Sequence, residues 1–285
     1  MKGIIIAAGY GTRFLPGTKT VPKEMFPLID TPAIDFIVKE FIDAGINDIL
    51  IVSSRRKKCL EDYFDREVEL ESVFSAEHDE KKLERIEEPQ ANIFFMRQKR
   101  MLGTGHAIMN CRSFVGNDAF VVAYPDDLVF GDKPLASQLV AVHRQTGGSV
   151  LAVEHVDGDV SRYGVVGVHE HSGLKQVDKI VEKPKAGTEP SHLISVGRYL
   201  FTAELFDLLD ADYKRWQADG TTKEFYHINS INALAAAGKM FACQYEGLRV
   251  DVGDKIGYLE GIIRYALMRD DLRDAAKKVL KKYAE

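Results

Sequence analysis

The stretch Gly3–Pro27, reading GIIIAAGYGTRFLPGTKTVPKEMFP, constrains this chain more than any other. Ile4, Ile5, Ile6, Ala7 and Ala8 form an apolar run with the length and β-branched content of a buried strand. The run breaks into Gly9-Tyr10-Gly11-Thr12-Arg13, where two glycines let the backbone turn sharply and bring its N–H groups close to an anion. Pro16, Pro22 and Pro27 follow, with Arg13, Lys19 and Lys23 among them. Prolines at this density exclude one continuous helix, so the segment reads as an ordered loop. A glycine turn with three cations after a buried strand has the makings of a polyphosphate site.

Two phosphate motifs are excluded. A dinucleotide fingerprint needs a third glycine where Phe14 stands, and Pro16 spoils its helix start. A P-loop needs Gly-Lys-Ser/Thr together, and Gly17-Thr18-Lys19-Thr20 has one residue too many. A plain glycine turn followed by surface lysines is the alternative that the pattern alone leaves open. Composition narrows the classes further. The chain has 285 residues, 45% of them hydrophobic, enough to bury a full core as one large domain or a domain with an extension. Its net charge of −5 makes affinity for phosphates a local property and argues against a nucleic-acid binder. A strand at residue 4 without a basic start and secretory apolar segment, no run of membrane-helix length, and three cysteines (Cys59, Cys111, Cys243) without metal or redox spacing predict a cytosolic protein with reduced thiols.

Further along, Asp30-Thr31-Pro32 predicts a helix cap before Ile34, Ile37, Val38 and Phe41, with Gly45 ending the helix. Ile49–Val52 reads as a second strand, so the opening is a right-handed parallel crossover. Leu60–Glu88 is highly charged and reads as outer helices anchored by Tyr63, Phe64, Val73, Phe74, Leu83 and Ile86. Strands at Ile93–Met96 and Ala119–Tyr124 deliver Gln98 and Asp126, and His106 reads as a helix-start residue. Ligands of open α/β sheets sit at the carboxyl ends of strands, where Asp126 suits a magnesium ion or, equally, a turn. Tyr163–Val168 and Val177–Pro184 alternate as an antiparallel ribbon, with His169-Glu170-His171 at a hairpin tip. Apolar spacing from Ile256 to Leu280 makes the tail helical, with a subunit contact as its use.

AAGYGTRFLPGTKTVPKEM resembles, nearly residue for residue, the signature of bacterial UTP–glucose-1-phosphate uridylyltransferases. The resemblance spans about Met1 to Met268 and recurs at six separate motifs. It implies that Ala8, Gly9, Gly11 and Thr12 wrap a nucleoside triphosphate whose phosphates Arg13 and Lys23 hold as the catalytic pair. Gln98, with Gly103 nearby, falls where the family reads uracil, although Lys99 stands in place of the family's glycine. Asp126 and Asp251 match the metal aspartates, and Mg2+ is the implied cofactor. YGVV, VEKPK and VGRYLF are similar to the sugar-phosphate half, which assigns Tyr163, Gly164, Glu182, Lys183, Val196 and Gly197 to the acceptor. KEFYHINSINAL departs from the family's DEIQLTDAI: Glu224 matches, but Tyr226 replaces glutamine and Asn229 replaces aspartate.

The implied fold is a three-layer α/β, Rossmann-like nucleotide-diphospho-sugar transferase. It has a mixed, mainly parallel sheet and a small antiparallel ribbon. It forms one domain over residues 1–285, with a helical C-terminal extension at about 254–285. The implied reaction passes a uridylyl group from UTP to glucose 1-phosphate, releasing pyrophosphate, with small-molecule partners only and a homo-oligomeric state (dimer or tetramer). A sugar phosphate with a second pKa of about 6 is already an anion and needs no general base. A thymidylyltransferase or another uridylyltransferase shares these motifs. A non-catalytic sugar-nucleotide sensor is the remaining class; retention of Lys23, Asp126 and Asp251 speaks against it.

Overall fold

The computed structural model describes residues 1–220 and 222–284. The last residue of the expected C-terminal extension, Glu285, lies outside the described residues. The strands in chain order are β1 (Lys2–Ile6), β2 (Pro27–Leu28), β3 (Thr31–Pro32), β4 (Asp48–Ser53), β5 (Asn92–Arg97) and β6 (Phe120–Ala123). They continue as β7 (Asp127–Phe130), β8 (Ser149–His155), β9 (Gly164–His171), β10 (Leu174–Glu182), β11 (Leu193–Phe201), β12 (Met240–Gln244) and β13 (Leu248–Asp251). Among the described residues, nine strands form one sheet in the order β5-β4-β1-β6-β11-β8-β12-β10-β9.

β1 lies between two parallel neighbours, β4 and β6, and is covered on both faces. Ile4 and Ile6 face one core while Ile5 and Ala7 face the other, which is why the run is apolar without alternation. The helices Ala33–Asp43 and Leu135–Thr146 pack on the Ile5 side. Thr104–Met109, Glu204–Asp219 and Ile228–Ala236 pack on the Ile4 side, completing three layers.

The sheet is mixed. β11 runs against both β6 and β8, and β10 runs against both β12 and β9, so four of the eight neighbouring pairs are antiparallel. The parallel character read from the opening crossover is confined to β5-β4-β1-β6 and the β12–β8 pair. The expected ribbon is the β9–β10 hairpin, and it forms the edge of this sheet instead of a separate unit. A separate ribbon does exist: β7 and β13 pair antiparallel and set Asp127 opposite Asp251.

Two local readings need correction, the first helix cap and the anchors of the charged segment. The first helix starts after Pro32 with no side-chain cap, because Asp30 turns outward to Arg269 at 2.6 Å. Gly45 does follow the helix end, at φ 75°. The charged segment forms helices Lys58–Tyr63, Val68–Glu77 and Glu80–Glu84, but Tyr63 and Val73 are exposed, and Leu60 and Phe64 are the buried anchors. In the tail, Lys255–Met268 packs Gly261 against Leu28, Val250 and Val252, whereas Arg273–Tyr283 buries none of its residues.

One buried ion pair joins the layers behind the site. Arg198, 1% exposed, donates to both oxygens of Glu40 at 2.9 and 2.8 Å. Arg198 also donates to the carbonyls of Gly197 and Asp127, and Glu40 accepts the N–H of Ala136. Breaking a buried pair from one side leaves a charge without water or partner. Glu40→Ala is therefore expected to lower unfolding free energy by about 3–5 kcal/mol, read as a fall in the urea midpoint at constant slope. A loss below about 1 kcal/mol, the range of an exposed pair, would contradict the role given to this contact.

Candidate active site

The loop after β1 is built from three single turns of 3-10 helix, Thr12–Phe14, Gly17–Lys19 and Lys23–Met25, as the proline spacing requires. Gly11 takes a left-handed φ of 66°, and the Thr18 hydroxyl donates to its carbonyl at 2.7 Å. Phe14, Phe26 and Tyr258 meet edge-on or tilted, with centroids 5.4–5.9 Å apart, which fastens the loop to the tail helix.

Lys57 ties the two ends of this loop together. Its ammonium donates to the Ala7 carbonyl at the end of β1 and to both oxygens of Glu24, the latter at 2.8 Å. Lys57 and Glu24 are 5% and 2% exposed, so the pair is sealed from water. Burial pulls the Lys57 ammonium below its ordinary value, against the opposing charge of Glu24.

Beside Glu24, Lys23 pairs with a carboxylate oxygen of Asp126. Burial works against the Lys23 charge, but Asp126 and Glu24 more than offset it and raise its pKa above the ordinary lysine value. Burial likewise pushes the Asp126 carboxyl up, and Lys23 outweighs it, holding the group below the ordinary carboxylate value. Lys23 is thus a fixed cation and Asp126 a fixed anion. Arg13 reaches the same place from the other side, donating to the Gly253 carbonyl at 3.3 Å.

Asp251 joins them across the β7–β13 ribbon. A Cβ built on Gly253 would stand 2.8 Å from an Asp126 oxygen and 2.9 Å from an Asp251 oxygen, so both carboxylates converge on one point. Among the described residues no group of three acidic, histidine or cysteine side chains could hold a metal alone. Two converging carboxylates with no third fit magnesium, which takes one or two carboxylates and completes its shell from water and phosphates.

A cavity of about 250 Å³ opens beside this charge cluster. Ala8, Gly9, Lys23, Gln98, Gly103 and Asp126 line it, together with Tyr10, Glu24, Thr104, Tyr124 and Glu224. Gln98 donates its amide to the Gly103 carbonyl at 3.1 Å and lies 3.2 Å from His106 Nδ1. The bond to Gly103 fixes the amide, whose oxygen is able to accept from a base N–H. Burial and nearby Arg100 lower the His106 pKa below the ordinary imidazole value. Gly103, at φ 98°, has Phe225 backbone 2.6 Å from where a Cβ would stand, so no other residue fits. Gly11, Thr12 and Arg13 lie outside the cavity lining, on the loop's outer turn.

Of the residues expected at the acceptor, Tyr163, Gly164, Glu182 and Lys183 meet at the open end of the β9–β10 hairpin, while Val196 and Gly197 lie in the middle of β11. Gly164 pairs with Glu182 across the β9–β10 hairpin, with a Glu182 oxygen 3.1 Å from a Cβ built on Gly164. β10 stops at Glu182, and Lys183 turns to φ 47°, so the two side chains leave the alternation of a strand. Val196 is different: its side chain is 2% exposed within the core, which leaves only its backbone for a ligand.

Several site residues carried no readable signal of their own. Asp127, whose role the sequence leaves unassigned, accepts the Gly197 N–H at 2.8 Å and a bidentate pair from Arg249. Arg249 in turn lies 3.8 Å from Asp251 and 6.0 Å from the Tyr163 ring. Asp127 and Arg249 therefore link the phosphate cluster to the acceptor strands. Thr104 contacts His227 Nδ1 at 3.0 Å, and burial lowers that ring's pKa to about 4.

A three-layer α/β fold with a glycine-rich turn, two cations and two converging carboxylates at its strand ends defines a nucleotidyltransferase. The family model for nucleotidyl transferases matches residues 2–266. UTP–glucose-1-phosphate uridylyltransferase 2 of Staphylococcus saprophyticus is 41% identical over 99% of this chain and 97% of its own. A UTP-bound UGPase from Acinetobacter baumannii superposes with TM-score 0.88 at 33% identity, covering 99% of both chains. A UDP-glucose pyrophosphorylase complexed with UDP-glucose gives TM-score 0.81 at 34% identity, over 94% of this chain and 99% of its own. The chain belongs to the nucleotidyl transferase family, in its UTP–glucose-1-phosphate uridylyltransferase branch.

Lys57 offers a test of the loop's construction. Lys57→Met removes the ammonium that holds Ala7 and Glu24, leaving Glu24 buried without a partner. Nucleotide affinity, measured by titration calorimetry, is expected to fall by roughly tenfold or more, with Lys57→Arg recovering part of it. Unchanged affinity in Lys57→Met would mean the loop holds its shape without this pair.

Proposed function

We propose that this chain transfers a uridylyl group from UTP to glucose 1-phosphate, giving UDP-glucose and pyrophosphate. The convergence of Lys23, Arg13, Asp126 and Asp251 beside a base-sized cavity is the observation that carries this reading. The acceptor phosphate is the nucleophile. The protein aligns it with the α-phosphorus and neutralises charge on the phosphoryl oxygens.

In this reading Ala8, Gly9, Gly11 and Thr12 follow the triphosphate, and the Gln98 oxygen accepts the uracil N3–H. Lys23 places its charge on the α-phosphate while Arg13 holds the outer phosphates. Glu182 accepts hydroxyls of the hexose, and Lys183 meets its phosphate beside Tyr163, Gly164, Gly197 and the Val196 backbone. Asp126 and Asp251 would hold a magnesium ion, which would supply further charge neutralisation and a template for the phosphates. The fold acts as one domain with a helical extension, in the cytosol. The uncovered helix Arg273–Tyr283, with Val279 57% and Tyr283 73% exposed, supports self-association. No helix among the described residues is long and apolar enough to cross a membrane.

A grid of nucleoside triphosphates against sugar 1-phosphates, with magnesium and a pyrophosphate readout, tests the reading. UTP with glucose 1-phosphate is expected to give the highest kcat/KM. A clear preference for dTTP would assign the chain to thymidylyl transfer. Within the favoured pair, Lys23→Ala should lower kcat by about a hundredfold, the value of about 3 kcal/mol for one charge at the developing anion. A raised KM for UTP with kcat intact would make Lys23 a binding residue only.

A further inference from the structure

Three carboxylates line the nucleotide cavity, and they differ in how their charge is met. Glu24 is sealed against Lys57, and Asp126 is paired with Lys23. Glu224 has no cationic partner within 4.0 Å among the described residues; its oxygen accepts instead from the Tyr226 hydroxyl at 2.8 Å. A free carboxylate inside a pocket for a tetra-anion repels the phosphates, so it belongs opposite a neutral, hydrogen-bond-donating part of the ligand.

Position narrows which part. The Phe225 N–H donates to the Leu102 carbonyl at 2.6 Å, and the Gly105 N–H donates to the Phe225 carbonyl at 3.0 Å. Glu224 Cβ lies 3.1 Å from where a Cβ on Gly103 would stand. These contacts stitch Glu224 to the Gln98–Gly103 loop, on the wall of the cavity that carries Gln98. The neutral donors of a ribonucleotide beside that wall are the base N–H, which Gln98 takes, and the ribose hydroxyls. Tyr226 leaves one Glu224 oxygen free to accept and fixes the other. The hydrogen bond to Glu224, with partial burial, raises the Tyr226 hydroxyl to about 12, so it remains a donor.

We propose that Glu224, oriented by Tyr226, is the specificity residue that recognises the ribose hydroxyls and selects ribonucleotides over deoxyribonucleotides. The proposal deepens the nucleotidyl-transfer reading given above and rests on it. It also gives a definite role to Tyr226, since its phenol holds the carboxylate toward the nucleotide.

The test compares kcat/KM for UTP, 2′-deoxy-UTP and 3′-deoxy-UTP in wild type, Glu224→Gln and Tyr226→Phe, with KM for glucose 1-phosphate measured in parallel. Wild type is expected to prefer UTP over at least one deoxy analogue by roughly ten- to a hundredfold, the value of a hydrogen bond to a charged acceptor. Glu224→Gln should cut the UTP value by about that factor and leave the affected analogue nearly unchanged, collapsing the ratio. Tyr226→Phe should shrink the same ratio by a smaller factor, and KM for glucose 1-phosphate should hold in both variants. Equal losses for UTP and its analogues, a wild type indifferent to the hydroxyls, or a change confined to glucose 1-phosphate would overturn the proposal. Should the activity grid favour another ribonucleotide, the same ratios are taken with that nucleotide and its deoxy forms. An error in the base assignment is thereby kept apart from an error about Glu224.

Discussion

The ammonium of Lys57 is the contact on which the site's geometry depends. It is almost wholly buried, and its hydrogen bonds run to the Ala7 carbonyl, just past the opening strand, and to both oxygens of Glu24. Between these anchors lie the glycine turn and the proline-rich loop, and next to the second anchor lies Lys23. A loop of this composition has little core of its own, and its glycines cost entropy to order. The buried pair, with the aromatic contact of Phe14 and Phe26 on Tyr258, supplies the order that the loop's own sequence cannot.

The two halves of the site are joined by polar contacts instead of by a shared cavity wall. Asp127 takes the Gly197 N–H and the Arg249 guanidinium, and Arg198 takes the Gly197 and Asp127 carbonyls behind them. β11 is the strand these contacts hold, and it runs against its neighbours between β6 and β8. Its antiparallel insertion carries Gly197 to the strand end that β6 uses to present Asp126. A purely parallel sheet would have sent that residue to the opposite edge.

Legibility in the sequence followed the kind of interaction. β1 and the central strand Phe120–Ala123 were readable because each is buried on both faces, and a helix-spaced stripe marked Ala33–Asp43. The cavity residues Gly9, Lys23, Gln98 and Asp126 sit on loops after strands, where ligands of α/β sheets are found. Asp127, Arg249 and Lys57 were not readable in their roles, because each acts through a partner distant in sequence: Asp127 and Arg249 are 122 positions apart, and Lys57 is 33 from Glu24. The even split between parallel and antiparallel pairs was hidden for the same reason. Strand composition reports burial and not the direction of the neighbour. Asp30 misled as a helix cap since its true partner, Arg269, lies in the tail.

The central claim is that this site works by aligning two anions and neutralising their charge, with no protein nucleophile in between. Exchange of labelled pyrophosphate into UTP, measured with enzyme and magnesium but without sugar phosphate, tests it most directly. Direct attack by the acceptor predicts no label in UTP until glucose 1-phosphate is added, and prompt labelling thereafter as UDP-glucose forms and the reaction reverses. Label entering UTP in the absence of any sugar phosphate would reveal a covalent uridylyl-enzyme and contradict the account.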